Sequence, residues 1–287
     1  MGALFFAAAI TSLVISAAIL YSLFSNGFTF FTDVDWGHVF GTDSWSPRFG
    51  EYSIATILMG SLIVTGIAML VATPLGLGAA VYLSEYARPS IRTVLKPILE
   101  VLAGIPSVVL GVFALNFIAP DVVGTIFGEA HDSGTMMAAG IGVGILTIPL
   151  VASVSEDAMR AVPNSLRQAS AGLGARRMTT TLRVVLPAAV SGIVAALILA
   201  TSRALGETMV VFIAGGASDS ATYTHNPLDG GLTMTAAMAS LAIGTDQVRG
   251  SGLAVESLYF VGIVLFAFTF GLNLIADRFV RRVRQAY

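Results

Sequence analysis

The chain has 287 residues, 55% of them hydrophobic and 11% charged, with a formal net charge of -2. A soluble domain carries roughly 25% charged residues, so lipid must cover much of this chain's apolar surface. Cysteine is absent, which excludes disulfides and thiolate metal sites. His38, His131 and His225 lie far apart in sequence, so neither a metal site nor a bound cofactor is expected.

Six apolar stretches reach the roughly 20 residues that a helix needs to cross hydrocarbon. They run over residues 3–24, 54–83, 98–118, 136–154, 187–214 and 258–275. Each is continuously apolar, without the alternation of a transmembrane barrel strand, so the predicted fold is an all-α integral membrane protein. The first stretch has no basic region before it and is long enough to span, so it reads as a helix and not a cleaved leader.

Lys and Arg favour cytoplasmic loops. Arg88, Arg92 and Lys96 follow the second stretch. Arg160, Arg167, Arg176, Arg177 and Arg183 follow the fourth, and Arg278, Arg281, Arg282 and Arg284 close the chain. These twelve of fifteen basic residues fall on one side and predict both termini in the cytoplasm. The long loops 25–53 and 215–257 face outward, and Trp36, Trp45 and Tyr52 are expected at the membrane interface. The sequence contains no GxxxxGK[ST] phosphate loop, so ATP hydrolysis would belong to another subunit. It also lacks HExxH and GxSxG, which argues against an intramembrane enzyme.

Residues 155–186 form the informative inward segment. Pro163 and Asn164 break the chain, and Ser165 is a possible N-cap for a short helix over 165–173. Gly174 ends that helix, and a second short helix over 175–185 closes before Pro187. The physics leaves two readings open: a docking element at the membrane surface, or an ordinary positive-inside loop.

Within this segment Gln168-Ala169-Ser170-Ala171-Gly172-Leu173-Gly174 precedes, after nine residues, Val184-Val185-Leu186-Pro187. The pattern resembles the EAA motif of binding-protein-dependent ABC importer permeases, E-A-A-x3-G-x9-I-x-L-P. Gln168, Ser170 and Val184 replace Glu, Ala and Ile. The resemblance implies a type I permease fold and a coupling loop that docks on the ATPase. That role would fall to Gln168, Ala169, Ser170, Gly174, Leu186 and Pro187.

Two further runs, residues 99–111 (LEVLAGIPSVVLG) and 203–209 (RALGETM), are similar to phosphate permeases, the latter to the PstC type. The family implies import of inorganic phosphate. Its implied partners are a paralogous PstA-like permease, two ATPase subunits and an extracytoplasmic phosphate-binding protein, in the cytoplasmic membrane. Molybdate, tungstate or sulfate would need the same machinery, and an autonomous channel or secondary transporter is the reading from another class. The expected division is 1–53 for the first helix and outer loop, 54–280 for the permease domain with coupling loop 155–186, and 281–287 for the tail.

Arg203 and Glu207 are four residues apart, so a continuous fifth helix would place them on one face. An ion at a membrane helix centre costs about 2.5–3.5 kcal/mol on insertion scales and marks a functional candidate. Arg203 lies about 24 Å beyond Pro187 at 1.5 Å per residue, which predicts the outer half of the membrane. A guanidinium offers five donors to an oxyanion. Arg203 is therefore expected to face the substrate pathway, with Glu207 neutralising it when the pathway is empty, although a purely structural ion pair is the competing reading. Glu100 is expected as an interfacial carboxylate at the start of the third helix. Gly104 and Pro106 interrupt helix regularity, Pro74, Gly76, Gly78 and Pro149 mark bends or close packing, and Gly140 with Gly144 forms a small-residue helix contact.

Overall fold

The computed structural model describes residues 2–128, 134–216, 220–243 and 253–283. His131, used in the metal reading, and Arg284, used in the charge reading, lie outside these residues.

In chain order the elements are α1 (Gly2–Asp33), α2 (Trp36–Gly41), β1 (Ser44–Ser46), β2 (Glu51–Tyr52), α3 (Ile54–Val81), α4 (Pro89–Ala103), α5 (Ser107–Phe113), α6 (Thr125–Phe127) and α7 (Met136–Arg160). They continue with α8 (Asn164–Gly172), α9 (Arg177–Thr180), α10 (Leu186–Leu205), α11 (Met209–Ala214), β3 (Ala221–Thr222), α12 (Met234–Ile243) and α13 (Ala254–Val283). π-helical segments extend α3 to Tyr86, join α5 to α6, and join α9 to α10. Among the described residues six helical runs are long and apolar enough to cross a membrane: Leu4–Asp33, Ile54–Tyr86, Ser107–Phe127, Met136–Arg160, Arg177–Leu205 and Ala254–Arg278. The predicted count stands, but two of the spans move.

The third span begins at Ser107 rather than residue 98. The Gly104-Ile105-Pro106 break cuts the apolar run, and the part before it belongs to α4, a separate amphipathic helix. Arg92, Lys96 and Glu100 recur every four residues on α4 and so share one stripe. Pro89 opens this helix at a position where its missing N–H is harmless.

The fifth span also differs. No second short helix closes before Pro187, because the helical run continues from Arg177 to Leu205. A π-helical segment, Thr181–Val185, ends two residues before the proline. A proline inside a helix lacks the N–H for the usual backbone bond, and the wider π turn already departs from that ladder. At its far end the span stops at Leu205, where residues 206–208 separate α10 from α11.

Spans two and four run side by side in the same direction, held by glycine. A Cβ on Gly140 would lie 2.7 Å from Ile67 Cβ, and one on Gly144 would lie 2.9 Å from Val71 Cβ. Gly76 returns the contact, since its Cβ would lie 2.7 Å from Val151 Cβ. Span five runs antiparallel to this pair. Gly192 faces Ala158, while Ala72, Val151 and Ala200 pack together farther along. At the arginine-bearing end Ala80, Met159, Val162, Val185 and Ala189 close a second apolar cluster. α1 lies at the rim and packs chiefly on α13, with Gly27 against Ile263 and Gly262 against Leu23.

The opposite end carries a small antiparallel sheet of order β2-β1-β3, with Trp45 opposite both Tyr52 and Ala221. This corrects the interfacial reading of two aromatics: Trp45 and Tyr52 are buried, packed edge to face with each other and tied to Phe30. Sheet pairing of the outer loop covers them, which composition alone does not reveal. Trp36 is half-buried against Phe31 and Phe260.

Gly140→Ala should destabilise the fold by about 1–3 kcal/mol, the usual overpacking range. Gly66→Ala, on the partner helix α3 but facing open space, should cost nothing. Thermal unfolding of the two variants in detergent checks this; equal midpoints would remove glycine packing as the basis of the α3–α7 contact.

Candidate functional site

The charged stripe of α4 meets the last turns of α7. Glu156 is fully buried, and its carboxylate lies 2.6 Å from Arg92 Nη2 and 3.2 Å from Lys96 Nζ, with Arg160 Nη1 farther off at 3.8 Å. Lys96 also reaches Asp157 Oδ1 at 3.1 Å. A buried carboxylate is tolerable only when paired, so the acid needs its cations, and they pin α4 to α7. Burial alone would lower the Lys96 pKa; pairing with Asp157 and Glu156 outweighs it and holds the ammonium above the usual lysine range.

Two cavities flank this cluster. The larger, about 740 Å³, opens among the arginine-bearing ends of the spans, with Arg92, Arg160, Arg167 and Arg177 on its wall. The smaller, about 240 Å³, is lined by α4, α7 and α10, including Leu146, Pro149, Ser153, Glu156 and Arg203. Lys96 and Glu100 line both. Side chains lean toward the N-terminus of their helix, so Arg203 reaches back along α10 toward the arginine-bearing end.

Arg203 and Glu207 do not form the expected pair on one helix face. α10 ends at Leu205, and Glu207 sits in the break. Glu207 Oε1 instead accepts a hydrogen bond from Val210 N–H in the first turn of α11 at 3.4 Å, and its backbone carbonyl accepts one from Thr235 Oγ1 at 2.8 Å. Among the described residues Arg203 is exposed and joins no ion pair. The acid that shares its cavity is Glu100, together with Glu156. Sequence spacing missed Lys96 and Glu156 as neighbours of Arg203. The four-residue spacing of Arg92, Lys96 and Glu100 was the available signal.

The segment predicted to couple differs from its prediction at its start as well. Pro163, not Ser165, holds the N-cap position of α8, and no side chain caps it. Gly174 ends the segment with φ of 77°, a left-handed conformation that favours glycine. Gln168 and Ala169 are exposed, as is Leu173 beside them. Ser170 Oγ lies 2.8 Å from Thr180 Oγ1 and ties α8 to the start of span five. Leu186 packs against the apolar cluster at the arginine-bearing end, and Pro187 is exposed in the first turn of α10.

Arg167 anchors the segment. Its guanidinium pairs with the buried Glu85 at 2.8 Å and donates to the carbonyls of Met159 and Val162 at 2.8 and 2.6 Å. One side chain thus fastens α8 to the ends of spans two and four.

Six apolar spans, helices broken beside a charged cavity and an exposed, anchored loop at the arginine-bearing end define a multi-pass permease. The chain belongs to the family described as binding-protein-dependent transport system inner membrane component, whose profile matches residues 72–285. It is 31% identical to the phosphate transport system permease protein PstC of Mesorhizobium japonicum, with 96% of this chain and 88% of that protein covered. It is 32% identical to PstC 1 of Mycobacterium tuberculosis, with 91% and 83% covered. Among solved structures it is similar to a bacterial ABC transporter that imports alginate (TM-score 0.69, 15% identity, 98% and 96% covered) and to the MetNI methionine transporter (TM-score 0.60, 21% identity, 79% and 94% covered).

Arg167→Ala should strand the Glu85 carboxylate and destabilise the α8 anchorage. Breaking a buried pair from one side costs about 3–5 kcal/mol, and the effect here should sit at the low end because Arg167 keeps some solvent contact. Limited proteolysis of the purified protein should then cut within 161–180 at least tenfold faster, and Arg167→Met with Glu85→Gln should recover most of the protection. Unchanged cutting in Arg167→Ala would exclude the anchor.

Proposed function

We propose that this chain is a phosphate-translocating permease subunit of a binding-protein-dependent importer. The observation that carries the reading is Arg203, an exposed guanidinium lining an intramembrane cavity with no ion pair among the described residues. Its relatives named as phosphate permeases supply the substrate class. A guanidinium binds phosphate oxygens through paired, charge-assisted hydrogen bonds, and a cation left unpaired is free to do so. Glu207 belongs to the pathway in another capacity: it holds the break after α10 and so sets where Arg203 stands.

The assembly follows from what a single chain lacks. The outer loops meet an extracytoplasmic phosphate-binding protein, and a paralogous permease completes the pathway. Gln168, Ala169, Ser170 and Gly174 dock on one of two ATPase subunits, which hydrolyse ATP on this chain's behalf; Leu186 and Pro187 seat the loop on span five. The exposed surface of α8 fits such docking, because it leaves a helix with no buried residue at the end of the bundle. The arginine-bearing end and both termini then face the cytoplasm, by the positive-inside preference.

Arg203→Gln should lower ATP-driven phosphate uptake at least tenfold in an assembled importer, since Gln cannot supply the charge that offsets phosphate dehydration. Glu207→Gln should retain most uptake because the amide oxygen can still accept from Val210, whereas Glu207→Ala should lose it. Near-normal uptake by Arg203→Gln would refute the transport role. Gly174→Val should separate ATP hydrolysis from transport: a β-branched residue at positive φ is strained, so the loop shifts against the ATPase. Uptake and ATPase activity measured on the same reconstituted complex check this, and the coupling role fails if both match the parent.

A further inference from the structure

Lys96 is the cation that the two cavities have in common. Arg203 lines only the smaller cavity, and Arg92, Arg160, Arg167 and Arg177 only the larger. An anion held by Arg203 alone would have no reason to leave. Transport needs sites strong enough to admit the ion yet arranged so that the next can take it, and an adjoining cation on the inner side meets that need.

The ion pairs around Glu156 show which cation can move. Arg92 makes the shorter contact to the buried carboxylate, 2.6 Å, and presents a rigid planar fork. Lys96 divides its ammonium between Glu156 at 3.2 Å and Asp157 at 3.1 Å. Asp157 is 63% exposed, and water screens such a pair to about 0–1 kcal/mol. Lys96 is therefore held weakly on its outer side, on a flexible four-carbon stem, while Arg92 keeps Glu156 neutralised. The one other residue common to both cavities is Glu100, whose negative charge makes their junction a poor resting place for an anion and favours passage over storage.

We propose that Lys96 is a second anion-contacting residue, which receives the oxyanion from the Arg203 cavity and delivers it to the basic cavity at the inner ends of the spans. Arg92 is the positioning residue: it holds α4 on Glu156 while Lys96 swings. This rests on the reading that Arg203 faces the transported anion.

The chain has no cysteine, so Lys96→Cys places one thiol in this subunit. In the assembled importer, reconstituted with partner subunits free of reactive cysteine, Lys96→Cys should lower phosphate uptake at least tenfold per assembled complex. Aminoethyl methanethiosulfonate, which rebuilds an ammonium there, should restore uptake at least fivefold, and the neutral methyl methanethiosulfonate should not. Inorganic phosphate should slow the labelling. Lys96→Met combined with Asp157→Asn keeps the apolar stem and removes the acid left without its partner; it should assemble and remain deficient in uptake. Parent-like uptake in either variant, or equal rescue by the neutral reagent, overturns the role of Lys96. Arg203→Gln measured in parallel separates the two claims: normal uptake there refutes the underlying reading, whereas loss there with normal Lys96→Cys refutes Lys96 alone.

Discussion

In hydrocarbon a peptide group has no water to bond, so a membrane helix must satisfy its own backbone and can break only where protein or a wet cavity takes over. Helices break in this way at Gly104-Ile105-Pro106 and at Gly206-Glu207-Thr208. Each break follows a charged residue by one helical turn, Glu100 in the first case and Arg203 in the second, and both residues line the same cavity. The second break is closed chemically: Glu207 accepts from Val210 N–H, and Thr235 donates to the Glu207 carbonyl. The irregular backbone and the two charges thus belong to one feature, a cavity between α4, α7 and α10.

The bundle around that cavity is rigid where glycine permits close approach and adjustable where charge does the holding. Spans two and four touch through Gly76, Gly140 and Gly144, contacts that tolerate no added atom without a shift. By contrast α4 has no buried residue and is fixed to α7 through Arg92, Lys96 and Glu156. Packed cores resist gradual deformation, while an ionic contact at a wet boundary can be exchanged for another. The arrangement sets a cation-bearing helix held by ion pairs against a pair held by close packing.

The same logic links the cavity to the exposed loop that carries α8. Arg167 joins α8 to Glu85 and to the carbonyls that end α7, one turn beyond Glu156 and Asp157. A displacement of α8 acts first on the arginine-bearing ends of spans two and four. The end of span four also carries Glu156 and Asp157, the acids that hold Lys96, so the loop and the α4 contact meet within a few residues.

Much of this was legible in the sequence alone. Lipid-length apolar runs establish six spans, because hydrophobic length is a local property. Segregated arginines mark one end of the bundle, and the spacing from Gln168 to Pro187 marks the loop, since motif spacing survives without a fold. Gly174 was readable as a stop because left-handed backbone selects for glycine. Tertiary structure decided the rest. Whether residues 98–103 belong to a span depended on the Gly104–Pro106 break and on Glu156 lying sixty residues from Lys96. Whether Arg203 meets Glu207 depended on helix continuity, which four-residue spacing assumes and Gly206 ends. The neighbours of a charge in a membrane protein come from other helices, and only packing brings Lys96, Glu100 and Glu156 to Arg203.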